Sequence, residues 1–240
     1  MARRTKDHDA LKALLDHAYE RYARPDFIGE DPIQIPRSFS KREDAEIIAF
    51  LTATIAWGQR KTIIGNARKL VLLLDESPHD FILNASPAEL KRLAPFVHRT
   101  FNGIDLLHFV RGLRHVYTTY GGLENAFLEA QPRASNLEPR ATASELEASG
   151  SWLASSAIPL FKQRFFEPAH QPRTQKHVAD PGKGSNAKRI NMFLRWMVLP
   201  NDRGVDLGLW KKIRPADLMV PLDVHTGRVS RELGLLTRKQ

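Results

Sequence analysis

Eleven consecutive residues, Ile47 to Trp57, carry no charge and break their apolar character only at Thr52 and Thr54. The run is too short for a bilayer, which needs about 20 residues, and too long for an ordinary strand of about 4–8. It reads as a helix buried on nearly all sides. Ser40-Lys41-Arg42-Glu43 ahead of it has the Ser-x-x-Glu form of a capping box, and Gly58 closes it. A helix of this kind needs other helices wrapped around it.

The rest of the chain supplies them. Residues 8–23 place Leu11, Leu14, Leu15, Ala18, Tyr19 and Tyr22 at steps of three and four, an amphipathic stripe that Pro25 stops. Residues 26–39, with Pro32 and Pro36, read as a loop. A helix is predicted over Lys61–Leu74. Ser86-Pro87-Ala88-Glu89 caps a short helix ending near Pro95, and 103–120 forms another before Gly121-Gly122. Helical pattern returns at Trp152–Phe166, 187–198 and 224–236. No strict alternation of four or more residues argues for a sheet, so the expected fold class is all-α. Residues 131–151 are rich in Pro, Ala, Ser and Glu, as in a flexible insertion. They divide the chain into an N-terminal helical part (1–130), the insertion, and a basic helical part (152–240).

The formal charge of +9 is unevenly placed. Residues 1–161 hold 20 basic and 20 acidic side chains, whereas 162–240 hold 16 and 7. In that last third Lys188, Arg189, Arg195, Lys211, Lys212 and Arg214 alternate with apolar residues and with Trp196 and Trp210, the pattern of a folded basic face. A polyanionic partner, with nucleic acid first among them, is expected from that face. No run of eighteen apolar residues suggests a membrane span, and the polar start Met1–His8 points to the cytoplasm. The absence of cysteine excludes disulfides, a thiol nucleophile, Cys-ligated zinc and a cysteine-held iron–sulfur cluster. The nine histidines show no His-x-x-x-His, so neither a metal nor another cofactor is expected, and the protein is expected to be a monomer.

Two places in the basic third can carry chemistry. In Asp180-Pro181-Gly182-Lys183-Gly184-Ser185-Asn186-Ala187-Lys188 a glycine-rich turn runs into a helix, an arrangement whose free N–H groups favour phosphate. It is not a P-loop, because no Lys-Ser/Thr follows the second glycine. Lys188 would lie in the first turn of a buried helix. There the dipole and desolvation disfavour the ammonium and release a nucleophilic amine; a snorkelling surface lysine is the plain alternative. In Val220–Val229, Asp223 stands at an N-cap, ahead of a helix with the inward stripe Leu222, Val229, Leu233 and Leu236. A capping carboxylate can still direct its second oxygen into a cleft.

Pro221-Leu222-Asp223-Val224-His225, with Arg228-Val229 and Arg231–Leu235, resembles the segment around the catalytic aspartate of the helix-hairpin-helix DNA glycosylases, especially the 8-oxoguanine branch. Pro181-Gly182-Lys183-Gly184 and the helix from Lys188 look like a modified hairpin followed by the helix that bears that superfamily's Schiff-base lysine. Ile47–Thr62 is similar to its early helix, with Gln59 as the residue near the vacated base position. Asp31-Pro32-Ile33, Trp57–Thr62, Pro172-Arg173-Thr174, Lys188–Val198 and Pro221–Gln240 resemble, more narrowly, a bacterial family known by a domain-of-unknown-function label.

The glycosylase resemblance implies a multi-helix glycosylase-like bundle and a DNA-repair hydrolase and lyase acting on an oxidised purine. Lys188 would form the imine and Asp223 would stabilise the cationic sugar or assist proton transfer. Gln59, Arg60, Lys61, Gly182, Lys183, Gly184, Arg189 and Arg228 would contact damaged, double-stranded DNA. Trp196, Trp210 or Phe193 would be open to base stacking. Three departures stand beside it. Lys188 follows Gly184 by four residues rather than two. Asn201–Pro215 lengthens the interval to Asp223, which leaves Lys211 and Lys212 as rival nucleophiles. The chain also stops at Gln240, where the glycosylases continue, which implies a truncated sequence. The alternatives are a non-catalytic nucleic-acid-binding helical protein and a partner-binding structural one.

Overall fold

The protein, in a computed structural model, is described over residues 8–128 and 152–237. The apolar run becomes α2 (Arg42–Thr54), on which every side chain from Asp44 to Thr54 is buried. Around it lie α1 (His8–Tyr22), α3 (Arg60–Leu73), α4 (Pro78–Asn84), α5 (Pro87–Lys91), α6 (Gly103–Tyr120), α7 (Leu123–Ala126), α8 (Ile158–Phe165), α9 (Lys188–Val198) and α10 (Val224–Glu232). The fold is all-α; the only extended pair among the described residues is β1 (Val97–His98) against β2 (Phe101–Asn102), antiparallel and two residues long. The expected insertion at 131–151 lies outside the described residues.

Phe50, midway along α2, is the hub of the core. Phe109 of α6 stacks on it at 5.6 Å, and Phe161 and Phe165 of α8 and Phe193 of α9 meet it edge-on at 5.4 Å. Residues from both sides of 129–151 therefore share one hydrophobic cluster. Aromatic pairs in these geometries add about 0.5–1.5 kcal/mol each beyond their burial.

Local signals were read with mixed success. Ser86 and Glu89 form the expected capping box, and Asn102 with Asp105 makes a second. The box at Ser40–Glu43 does not form: Lys41 takes the N-cap with no side-chain bond, one residue past Ser40. The loop expected over 26–39 is instead three 3-10 turns, Pro25–Glu30, Pro32–Gln34 and Pro36–Ser38, each opened by proline, whose fixed φ suits a first helical position. α1 forms as expected but buries none of its residues, so its apolar stripe faces outward. On α10 Val229 is exposed, contrary to the expected inward stripe, and Gly227 alone is buried.

His108 and His177 are each only 4% exposed, and burial pushes both down to about 4. Unfolded, they would take up protons near pH 6.5. Between those values the unfolded chain binds more protons, so stability falls as pH falls from about 6.5 to about 4. The expected loss at the lower end is about 3 kcal/mol per histidine. Urea midpoints measured across this range test it: His108→Phe should flatten the slope, with His177 and the likewise buried His98 keeping part of it, and a midpoint independent of pH would contradict the account.

Candidate active site

α2 ends at Thr54, and Ile55, Ala56, Trp57 and Gly58 turn the chain into α3. Gly58 has φ +106°, a backbone conformation that calls for glycine, and a Cβ there would also come 3.2 Å from the movable Arg99 side chain. Trp57 stands at this corner with its ring held by three neighbours. His177 lies nearly parallel at 6.1 Å, His98 meets it edge-on at 5.1 Å, and the Arg189 guanidinium sits 4.5 Å from its centroid. His98 is itself fixed, with Nδ1 2.8 Å from Asn66 Nδ2 and Nε2 3.2 Å from the Trp57 carbonyl.

α9 packs along α2, which carries its first turn to the Trp57 corner. Ala187 at its N-cap is left-handed (φ 44°, ψ 35°) and buried, a conformation costing roughly 1–2 kcal/mol in a residue with a Cβ. It aims Lys188 and Arg189 into a cleft of about 590 Å³, walled by Pro32, Trp57, Gly58 and Arg60 on one side and by Ser185, Lys188, Arg189 and Met192 on the other.

Asp223, 35 residues after Lys188, meets the cleft through that lysine. Its Oδ1 accepts from the backbone N (2.8 Å) and hydroxyl (3.0 Å) of Thr226 as the cap of α10, while Oδ2 accepts from Lys188 Nζ at 2.8 Å. The lysine bond, then the Thr226 bonds, hold the carboxyl well below the usual carboxylate range, so it is ionised at neutral pH. The paired side chains are 45% and 32% exposed; an ion pair so open to water contributes at most about 1 kcal/mol to stability.

The structure thus brings Lys188, Arg60 and Arg189 to one cleft, with Asp223 bonded to the Lys188 amine, Gln59 exposed as the N-cap of α3 and Lys61 beside it. The rival lysines lie elsewhere: Lys211 Nζ donates to the Gly208 carbonyl and Lys212 Nζ to Asn125 Oδ1, next to Glu124. Arg228 is turned to Glu232 on the outer face of α10.

Four expectations are corrected. Lys188 is half-exposed and ion-paired rather than desolvated. The N–H groups of Gly182, Lys183 and Gly184 are consumed within their own turn, by Asp180 Oδ1, the Asp180 carbonyl and the Pro181 carbonyl, which leaves only the Lys183 side chain to meet an anion there. Arg189 is not a free phosphate contact: it is anchored on the cleft wall, with Nη1 donating to the Thr54 carbonyl at the negative end of the α2 dipole. Phe193, Trp196 and Trp210 are core residues, 0%, 5% and 1% exposed, and none is open for stacking.

Sequence reasoning missed Trp57 as a wall and missed the network beneath it. There Asp105, fully buried, accepts from Asn102 N (3.0 Å), Arg173 Nη1 (2.9 Å) and Thr174 Oγ1 (2.8 Å). His177 Nε2 lies 3.3 Å from the same carboxylate without hydrogen-bond alignment. The aromatic next to a helix-closing glycine was a signal for Trp57. No local signal links Asp105 to residues 68 and 69 positions away.

Among the described residues no group of three His, Asp or Glu could hold a metal, and no helix is long and apolar enough to cross a membrane. The fold and site define an all-α protein with a lysine–aspartate pair at the mouth of a basic cleft. Residues 31–240 match the model of a family described as a protein of unknown function, DUF2400, and the chain belongs to that family. No curated protein and no solved structure matches it.

Proposed function

We propose that the protein binds DNA and excises bases, with Lys188 as nucleophile and Asp223 as its charged partner, in the manner of a glycosylase with AP lyase activity. The observation that carries this reading is the 2.8 Å approach of Lys188 Nζ to Asp223 Oδ2 at the mouth of a cleft. The resemblance around Asp223 supports it. C1′ cannot be reached within the stack, so the nucleotide must be extruded. The extruded base enters beside Trp57, and the Lys188 amine attacks C1′ after shedding its proton. The glycosidic bond breaks, its electron pair leaves with the base, and that proton neutralises the base. Opening of the sugar ring moves a proton from Nζ to O4′ and gives the protonated imine between Nζ and C1′; loss of a C2′ proton to water then breaks the C3′–O bond, whose electron pair leaves with the phosphate. Asp223, ionised at neutral pH, stabilises the cationic sugar rather than relaying a proton. Arg60, Lys61 and Lys183 hold the phosphates, and a cytoplasmic site of action fits this chemistry.

A non-catalytic DNA-binding role is the second reading, favoured by the resting ion pair that occupies Lys188. Duplex binding against salt is common to both. With the three phosphate contacts of Arg60, Lys61 and Lys183 the slope of log affinity on log salt is expected to be about −2.7, and Lys61→Ala or Lys183→Ala should each reduce its size by about 1. Absence of duplex retention at low salt would remove both readings. Borohydride trapping on an abasic duplex separates them, since only the catalytic protein forms an adduct.

A further inference from the structure

Arg189 is the one cation of the cleft that is both held in place and unmatched. Its guanidinium lies over Trp57 at 4.5 Å, and Nη1 is fixed on the Thr54 carbonyl. Among the described residues no carboxylate lies within ion-pair distance, and Nε and Nη2 have no hydrogen-bond partner. Neither nitrogen is a sealed, unpartnered atom, and Arg189 lines the cleft beside Lys188. Burial alone lowers its pKa, as for a cation without an acidic neighbour. A planar fork of donors facing a cleft matches two adjacent acceptors, the arrangement by which arginine reads the O6 and N7 atoms of guanine.

We propose that Arg189 is the specificity-determining residue of the cleft, donating from its free N–H groups to a purine edge on which a carbonyl oxygen adjoins an unprotonated ring nitrogen. This deepens the base-excision reading and rests on it. It also narrows that reading, because 8-oxoguanine carries a hydrogen on N7 and turns one of the two acceptors into a donor facing a donor. The purine favoured here keeps N7 free.

Calorimetric titration of the full chain with dGMP, with 7-deaza-dGMP, in which N7 is a C–H, and with 8-oxo-dGMP tests this. The expected result is dGMP binding about tenfold tighter than either analogue. In Arg189→Met the ratio should fall to about one, and Arg189→Lys should not restore it, since an ammonium lacks the planar fork. An arginine that only braces Trp57 would lower the melting temperature of Arg189→Met and leave the ratio intact, which overturns the proposal. Equal affinity of the wild-type protein for the three nucleotides, or no binding of any, overturns it as well. Trapping on an abasic duplex, which has no base to read, is measured in parallel. An adduct without discrimination keeps the lyase reading and removes this role of Arg189. Discrimination without an adduct keeps the subsite and removes the lyase chemistry.

Discussion

Replacing Asp105 with alanine should lower the free energy of unfolding by about 2–4 kcal/mol, chiefly through the buried hydrogen bonds it leaves unmade, since the Arg173 side chain is partly exposed and can hydrate. The carboxylate is 0% exposed and is the shared acceptor for the start of α6 and for the 3-10 turn Pro172–His177. Without it the Arg173 guanidinium loses its ion pair, and the Thr174 hydroxyl, itself fully buried, loses its acceptor. Each unmade buried bond costs about 1–3 kcal/mol on its own. The loss reaches the cleft because His177, on the same turn, backs the Trp57 ring. Urea unfolding followed by far-UV circular dichroism measures it. Removal of Glu232, whose pair with Arg228 has side chains 60% and 77% exposed, should by contrast change stability by less than about 0.5 kcal/mol. Equal losses at the two sites would contradict the account.

Much of this architecture is legible in the chain because it is written locally. The apolar stretch within α2, the helix-closing Gly58 and the capping residues Ser86 and Asp223 all act within a few residues of themselves. What was not legible depends on contacts between distant segments. Whether Lys188 is dry or wet is decided by where α10 brings Asp223, and which aromatics are open depends on the packing of α9 against α2. Trp196 and Trp210 look like stacking residues in a basic stretch, yet one faces the core from α9 and the other donates its indole N–H to the buried Glu46 at 3.0 Å. The glycine turn looked like a phosphate cradle because its residues suit one. Its N–H groups instead close on Asp180 and Pro181, and that choice is conformational.

The second large effect concerns Lys188. Lys188→Ala should remove strand cleavage at abasic sites entirely, a fall of at least about 10³-fold, because among the described residues no other lysine Nζ is paired to Asp223. Lys211 and Lys212, held at Gly208 and Asn125, are not expected to substitute. Asp223→Asn keeps a side-chain oxygen for the Thr226 cap but removes the charge, so cleavage should fall by about 10²–10³-fold while the fold is retained. Asp223→Ala should lose the same activity and about 1 kcal/mol of stability through the missing cap. A cap-only role for Asp223 would give the opposite pattern, with Asp223→Asn active and stable.

The most direct measurement is borohydride reduction of the wild-type protein mixed with a duplex bearing one abasic site, followed by proteolysis and mass spectrometry of the adduct. The proposed chemistry predicts a single modified peptide with the sugar remnant on Lys188, absent from Lys188→Ala. An adduct on Lys211 or Lys212, or none at all from a protein that retains the duplex, would contradict it.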